Sequence, residues 1–178
     1  MKQNKNIIYD ISLTALFTAI IVVCSWISVS FSAVPFTLQT LGVFTAVAVL
    51  GLRRGTVAVG LYIVLGLIGL PVFYSFQGGF GVLMGSTGGF IIGLLVSSII
   101  IGAINFKNAK SLKLMLISMC IGQAVVYLCG VLWFVFVYGN SASFGAVLLT
   151  TVVPFILPDI LKIFVAAIIS SRVSKYIK

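Results

Sequence analysis

The run Val152-Val-Pro-Phe-Ile-Leu-Pro-Asp-Ile-Leu-Lys-Ile-Phe-Val-Ala-Ala-Ile-Ile-Ser-Ser171 decides how the rest of the chain is read. It is apolar over about the 20 residues that a helix needs to cross a bilayer. Yet it holds one carboxylate, Asp159, and one ammonium, Lys162. On insertion scales each charge at bilayer depth costs about 2.5–3.5 kcal/mol. A chain that is 61% hydrophobic and 7% charged has no evident reason to bear that cost twice in one segment. The pair is therefore the candidate heart of a polar site.

Working outward, the composition is that of an integral membrane protein. There are two acidic residues, no histidine and eleven Lys/Arg, and the mean hydropathy is +1.30. Several windows exceed the ~18 apolar residues that mark a spanning helix. Lys2 and Lys5 followed by an apolar run resemble a secretory signal. The run from Ile11 to Ser30, however, is longer than the ~7–15 residues of a signal core and reads as a retained first helix. Cys24, Cys120 and Cys129 lie in apolar stretches without metal-ligand spacing and read as small core residues. With no histidine and no nucleophile–base pair, metal and acid–base catalysis lack parts, and no cofactor site is expected. No Gly-Lys-Ser/Thr follows any glycine run, so the chain carries no ATPase of its own.

Six apolar segments follow from the polar and glycine-rich breaks: Ile11–Ser30, Leu38–Leu52, Thr56–Leu70, Thr87–Ile104, Leu112–Val137 and Val147–Ser171. The expectation is an all-α, six-helix membrane domain over residues 1–178. With six spans, Lys2, Lys5, Arg53, Arg54, Lys107, Lys110, Lys113, Arg172, Lys175 and Lys178 all fall on one side. That side is the cytoplasm by the positive-inside rule, and both termini lie there. Topology thus accounts for the net charge of +9 without nucleic acid. Lys162 is the one basic residue it leaves over.

The outer loops are the polar-contact candidates. The first contains Phe36. The second, Pro71 to Phe90, contains Phe73, Tyr74, Gln77, Gly78, Gly79 and Gly85-Ser-Thr-Gly-Gly-Phe90. Glycines admit close approach of backbone to a ligand; the bland reading is a loop with glycine-mediated helix packing, and Gly89-Phe-Ile-Ile-Gly93 fits GxxxG. On the fifth segment Gln123 and Tyr127 are four apart and share a helix face. They suit either an interhelical bond or a ligand contact. Ala15-Leu-Phe-Thr-Ala19 forms a small-residue face on the first helix. Trp26, Trp133 and Tyr138 read as an interfacial aromatic belt.

Taken together, Val34-Pro-Phe-Thr-Leu-Gln-Thr-Leu41, Gly51-Leu-Arg-Arg-Gly55, Leu65-Gly-Leu-Ile-Gly-Leu-Pro-Val-Phe73, Gly78-Gly79, Gly85-Ser-Thr-Gly-Gly-Phe90 and Pro158-Asp-Ile-Leu-Lys162 occur in an order and spacing that resembles the BioY family. These are biotin-binding S components of energy-coupling factor (ECF) transporters. The resemblance spans about Ile11 to Lys178. It implies a multi-pass protein of the cell membrane that captures biotin outside and delivers it inward. It also implies that Ala15 and Ala19 dock on a transmembrane T component, with two cytoplasmic ATPases supplying the energy. Its implied substrate-binding residues are Asp159, Lys162, Gln77, Gly78, Gly79, Phe90, Tyr127, Phe36 and Phe73. Many relatives have Gly-Pro-Thr-Gly-Gly-Tyr where this chain has Ser86 and Phe90. Some have an arginine where this chain has Ile91, which leaves Lys162 as the cation for a ligand carboxylate.

Biotin offers a ureido ring with two N–H donors, an apolar bicycle and a terminal carboxylate. Asp159 and Lys162 suit its two ends, and Asp159, following Pro158, is expected at a restarted helix N-terminus where the dipole favours an anion. Because residues three apart lie ~5–6 Å apart at Cβ, a second arrangement stands beside this one. The two residues form an ion pair with each other, permanently or until a ligand replaces each partner. The alternative function is a stand-alone proton-coupled secondary transporter of a small carboxylate or vitamin, with Asp159 as the proton carrier.

Overall fold

In the computed structural model, residues 2–29, 34–105, 111–138 and 143–177 are described, and the side chains from residue 7 onward. Lys2, Lys5, Ser30–Ala33, Lys107, Lys110 and Lys178 enter the sequence reading but lie outside the described residues or side chains. The helices are α1 (Lys2–Trp26), α2 (Gln39–Leu67), α3 (Phe80–Met84), α4 (Gly88–Asn105), α5 (Leu112–Trp133), α6 (Phe144–Thr151) and α7 (Val153–Val173). A π-helical turn, Phe134–Tyr138, prolongs α5, and Tyr74–Phe76 forms a short 3-10 turn. Five helical stretches are long and apolar enough to cross a membrane: Ile7–Trp26, Gln39–Leu67, Gly88–Asn105, Leu112–Tyr138 and Val153–Val173. Beyond the expected helices there is a two-stranded antiparallel ladder. It pairs β1 (Ser28–Val29) with β2 (Phe36–Thr37), setting Ser28 against Thr37 and Val29 against Phe36.

Helix α2 is not straight. Gly51 has φ 79° and ψ −179°, a conformation that side chains disfavour. Four residues later, a Cβ on Gly55 would lie 2.6 Å from the Cα of Val47. Residues eight apart on a straight helix are separated by ~12 Å, so the chain doubles back at Gly51. Farther along, Gln39 Nε2 donates to Tyr62 Oη at 2.8 Å, pairing the far ends of the two arms, 39–50 and 52–67. The sequence expectation placed a gap between 52 and 56. In fact the break is the single residue Gly51, and Arg53 and Arg54 already belong to the second arm.

The hairpin tip marks one end of the bundle. Arg54 bridges to Asp10 of α1 at 2.9 Å, and Arg53, Arg54, Ala103 and Ile177 border one cavity. With about two-fifths of each partner exposed, the Arg54–Asp10 bridge is a weak stabiliser. The β ladder and residues 71–87 lie at the other end. The core between them contains Val43, Phe44, Val47, Val59, Tyr62, Phe73, Ile101, Met115 and Met119, each at most 1% exposed.

Helix α4 packs along α5 at very short range. A Cβ on Gly89 would lie 2.1 Å from Trp133 Cβ and 2.5 Å from the Cys129 carbonyl oxygen. Backbone cannot yield as a flexible side chain can, and overpacking of this kind costs about 1–3 kcal/mol or more. Gly89→Ala should therefore lower the thermal midpoint of the detergent-purified protein markedly. Gly145→Ala, where nothing lies within 4 Å, serves as the neutral comparison.

The last apolar segment was expected as one interrupted helix over 147–171. It is divided at Val152 (φ −123°, ψ −55°) into α6 and α7. Pro154 occupies the first turn of α7, where its missing N–H is harmless. Pro158 lies within the helix rather than at a restart. Asp159 therefore does not sit at a helix N-terminus, and its anion is stabilised by side chains instead.

Candidate functional site: a pocket around Asp159 and Lys162

Asp159 and Lys162 project from one face of α7 and are buried, with side-chain exposures of 7% and 8%. Lys162 Nζ lies 2.5 Å from Asp159 Oδ1. The other carboxylate oxygen, Oδ2, accepts from Gln123 Nε2 at 2.8 Å and from Tyr127 Oη at 2.5 Å. The shared α5 face of Gln123 and Tyr127 is thus turned onto α7. The ammonium completes its set of donors on the first arm of α2 and the strand before it. It donates to the Thr37 carbonyl at 2.7 Å and meets Thr40 Oγ1 at 3.3 Å. It also lies 4.2 Å from the centroid of the Phe36 ring, a cation–π contact.

Of the arrangements left open by the sequence, the paired one is therefore present. Its partners explain how two charges are tolerated here. A buried ion pair repays its desolvation only when the remaining lone pairs and protons are also bonded; here Asp159 Oδ2 accepts two hydrogen bonds, while Oδ1 meets Lys162 Nζ alone among the described residues. Gln123 Oε1, in the same pocket, is also buried without a hydrogen-bond partner among the described residues. A buried acceptor without a donor costs about 1–3 kcal/mol, and this one lies in the wall of a pocket that holds a carboxylate and an ammonium.

The cavity encloses about 70 Å³. Its polar lining comes from Thr37, Gln39, Thr40, Thr87, Gln123, Tyr127, Asp159 and Lys162, and its apolar lining from residues that include Phe36, Phe73, Phe90, Val126 and Phe155. Phe36 and Phe155 stack with ring centroids 6.4 Å apart and planes 2° from parallel. Of the residues named from sequence, Asp159, Lys162, Tyr127, Phe36, Phe73 and Phe90 line this cavity, as does Tyr74. Ile91, the position without an arginine, lines it too.

Gln77, Gly78 and Gly79 do not line it. Gln77 is exposed, and its carbonyl accepts from Phe73 N at 2.9 Å. Gly79 N donates to the Gly66 carbonyl at 2.7 Å, and a Cβ on Gly78 would meet the Leu70 carbonyl oxygen at 2.2 Å. These residues fasten the loop to the second arm of α2 and so hold Phe73 in the wall. Sequence reading did not name Gln39, Thr40, Thr87 or Phe155. They arrive through helix packing, and only their polar or aromatic character within apolar runs hinted at a role.

Ala15 and Ala19 lie elsewhere. Both are exposed on α1 and border an apolar groove of about 380 Å³ with Thr18, Val22, Val23, Trp26, Leu61 and Leu65. The groove is separate from the charged pocket. Trp26 and Trp133 are not merely belt residues. Their indole N–H groups donate to the carbonyls of Pro71 (2.8 Å) and Gly85 (3.1 Å).

Comparison with known proteins identifies the family. The model of the BioY family matches residues 1–178. The biotin transporter BioY of Thermotoga maritima is 40% identical over 163 residues, covering 90% of this chain and 92% of that one. The probable biotin transporter BioY of Pyrococcus horikoshii is 39% identical over 163 residues, covering 92% and 94%. Among solved structures, the S component for biotin from an ECF-type ABC transporter superposes with a TM-score of 0.87 at 28% identity. It covers 97% of this chain and 94% of that one. On sequence and fold alike, the chain belongs to the BioY family.

Proposed function

We propose that this chain is a biotin-binding S component that captures biotin at the outer face of the cell membrane. It releases the vitamin inward when coupled to a T component and two ATPases. The observation that carries the reading is the buried pocket in which Asp159, Lys162 and the unpartnered Gln123 Oε1 converge between aromatic walls. In this reading Asp159 and Gln123 Oε1 accept from the ureido N–H groups. Lys162 leaves Asp159 to meet the carboxylate, and Phe36, Phe73, Phe90, Tyr127 and Phe155 pack on the bicycle and tail. Small-molecule pockets usually measure ~300–1,000 Å³, so a cavity of about 70 Å³ has to widen. Moving Lys162 and the Phe36 strand that it holds is the direct way to do so.

The two arms of α2 count as two spans, giving six in all. The Arg53–Arg54 tip and both chain ends then face the cytoplasm, as the segregation of basic residues supports. The charged pocket faces outward. The groove beside Ala15 and Ala19 supports docking of the T component there. The chain is a transport subunit and not an enzyme, and ATP hydrolysis belongs to its partners.

Uptake of labelled biotin into proteoliposomes tests this. Wild-type chain reconstituted with its T component and ATPases should accumulate biotin only when ATP is supplied to the ATPase side. Accumulation by the chain alone, driven by a proton gradient and abolished by an uncoupler, would replace this reading with that of a proton-coupled transporter.

A further inference from the structure

Residues 71–87 supply Phe73, Tyr74 and Thr87 to the pocket wall, and two indoles hold this segment at its two ends. At the first end, Trp26 Nε1 donates to the Pro71 carbonyl at 2.8 Å, and its ring lies 4.9 Å from that of Phe76. Its neighbour Ser25, fully buried, sets its hydroxyl between the carbonyls of Val22 (2.7 Å) and Val72 (2.5 Å). Ser28 and Ser75 approach at 3.4 Å. At the second end, Trp133 Nε1 donates to the Gly85 carbonyl at 3.1 Å, two residues before Thr87.

The segment between these ends does not hold its shape by local preference. Ser75 (φ 50°) and Phe76 (φ 60°) both occupy the left-handed region, which residues other than glycine rarely adopt. Such conformations persist only where surrounding contacts impose them, and they cluster at ligand clamps. Phe76 is 62% exposed, so its contact with Trp26 replaces the core packing it lacks.

We infer that Trp26 and Trp133 are positioning residues that clamp residues 71–87 over the pocket, so that the two indole N–H groups govern how long a ligand stays bound. The inference rests on the reading of the pocket as the biotin site. Neither indole lines the cavity; each acts through a carbonyl of the segment that does. Trp26 also borders the groove beside Ala15 and Ala19, so one side chain joins that groove to the pocket wall.

The test uses the full chain in detergent with Trp26→Phe and Trp133→Phe, which keep an aromatic ring but remove the N–H together with part of the indole's volume. Two measurements are made: biotin dissociation rate, and amide hydrogen exchange of residues 71–87 without biotin. Loss of one hydrogen bond corresponds to roughly a two- to tenfold change in an equilibrium. Each variant should release biotin about fivefold faster, with its association rate and one-to-one stoichiometry unchanged. Exchange should quicken around residues 71–79 in Trp26→Phe and around 85–87 in Trp133→Phe. Ser25→Ala provides a further variant at the first end and should act in the same direction as Trp26→Phe.

Dissociation within twofold of wild type in both Trp variants would overturn the clamp, whether or not exchange changes. Unchanged exchange of the segment in both would overturn it as well. If the wild-type chain binds no biotin, the ligand assignment fails, and the exchange measurement alone then decides the clamp.

Discussion

Asp159→Asn should lose biotin binding by more than about a hundredfold and unfold at a lower temperature than wild type. The amide keeps the size of the carboxylate but turns an NH2 toward an ammonium or toward the donors of Gln123 and Tyr127. Lys162 is then a buried cation without its counter-ion. Removing one partner of a buried, bonded pair costs about 3–5 kcal/mol, most of it the penalty of the charge left behind. Loss of an acceptor for a ureido N–H adds a separate binding defect, because an unmet donor in a buried pocket carries its full desolvation cost.

The two effects separate in the double variant Asp159→Asn/Lys162→Met. Removing both charges takes away the stranded ammonium, and replacing a buried pair by uncharged groups of similar volume is often neutral or stabilising. The double variant should therefore recover most of the lost thermal stability and none of the lost binding. Recovery of both would mean that Asp159 serves the fold alone. Recovery of neither would mean that Lys162 has structural partners stronger than Asp159, with the Thr37 carbonyl and Thr40 the candidates.

The sequence made Asp159 and Lys162 legible through cost, since two charges in one apolar segment need a partner or a ligand, and the structure shows them paired with each other. The break in α2 was legible for a similar reason. Gly-Leu-Arg-Arg-Gly cannot continue through a bilayer, and only the residue at which the chain turns, Gly51, was misplaced. Aromatic residues flanking the outer loops were a fair guide to the walls, and Phe36, Phe73 and Phe90 line the cavity.

What failed to show was what depends on depth and direction. Gly78 and Gly79 have the composition of a ligand-binding loop. Yet whether such a loop turns its backbone inward or against its own helix is decided by the close approach of Gly78 to Leu70, which no local pattern encodes. Pro158 announces a helix start in sequence terms, but here the helix runs through it. Trp26 and Trp133 have the depth of a lipid-facing belt, and the carbonyls that their N–H groups meet lie 45 and 48 residues away along the chain. Gln39 and Thr40 reach the pocket only because α2 packs against α7, which sets Thr40 beside Lys162.

The proposed function gives opposite ends of the ligand to two charges that bond each other in the structure. An ammonium bonded to a carboxylate contributes about 1.5–3 kcal/mol, roughly ten- to a hundredfold in affinity. Biotin amide lacks that charge and differs in little else. Isothermal titration of biotin and biotin amide into wild type and Lys162→Met therefore tests the central claim most directly. The account predicts one-to-one binding of biotin to wild type with at least a tenfold preference over the amide, and in Lys162→Met weaker binding of biotin with no preference between the two. No binding of biotin to wild type, or a preference for the acid that survives in Lys162→Met, would contradict it.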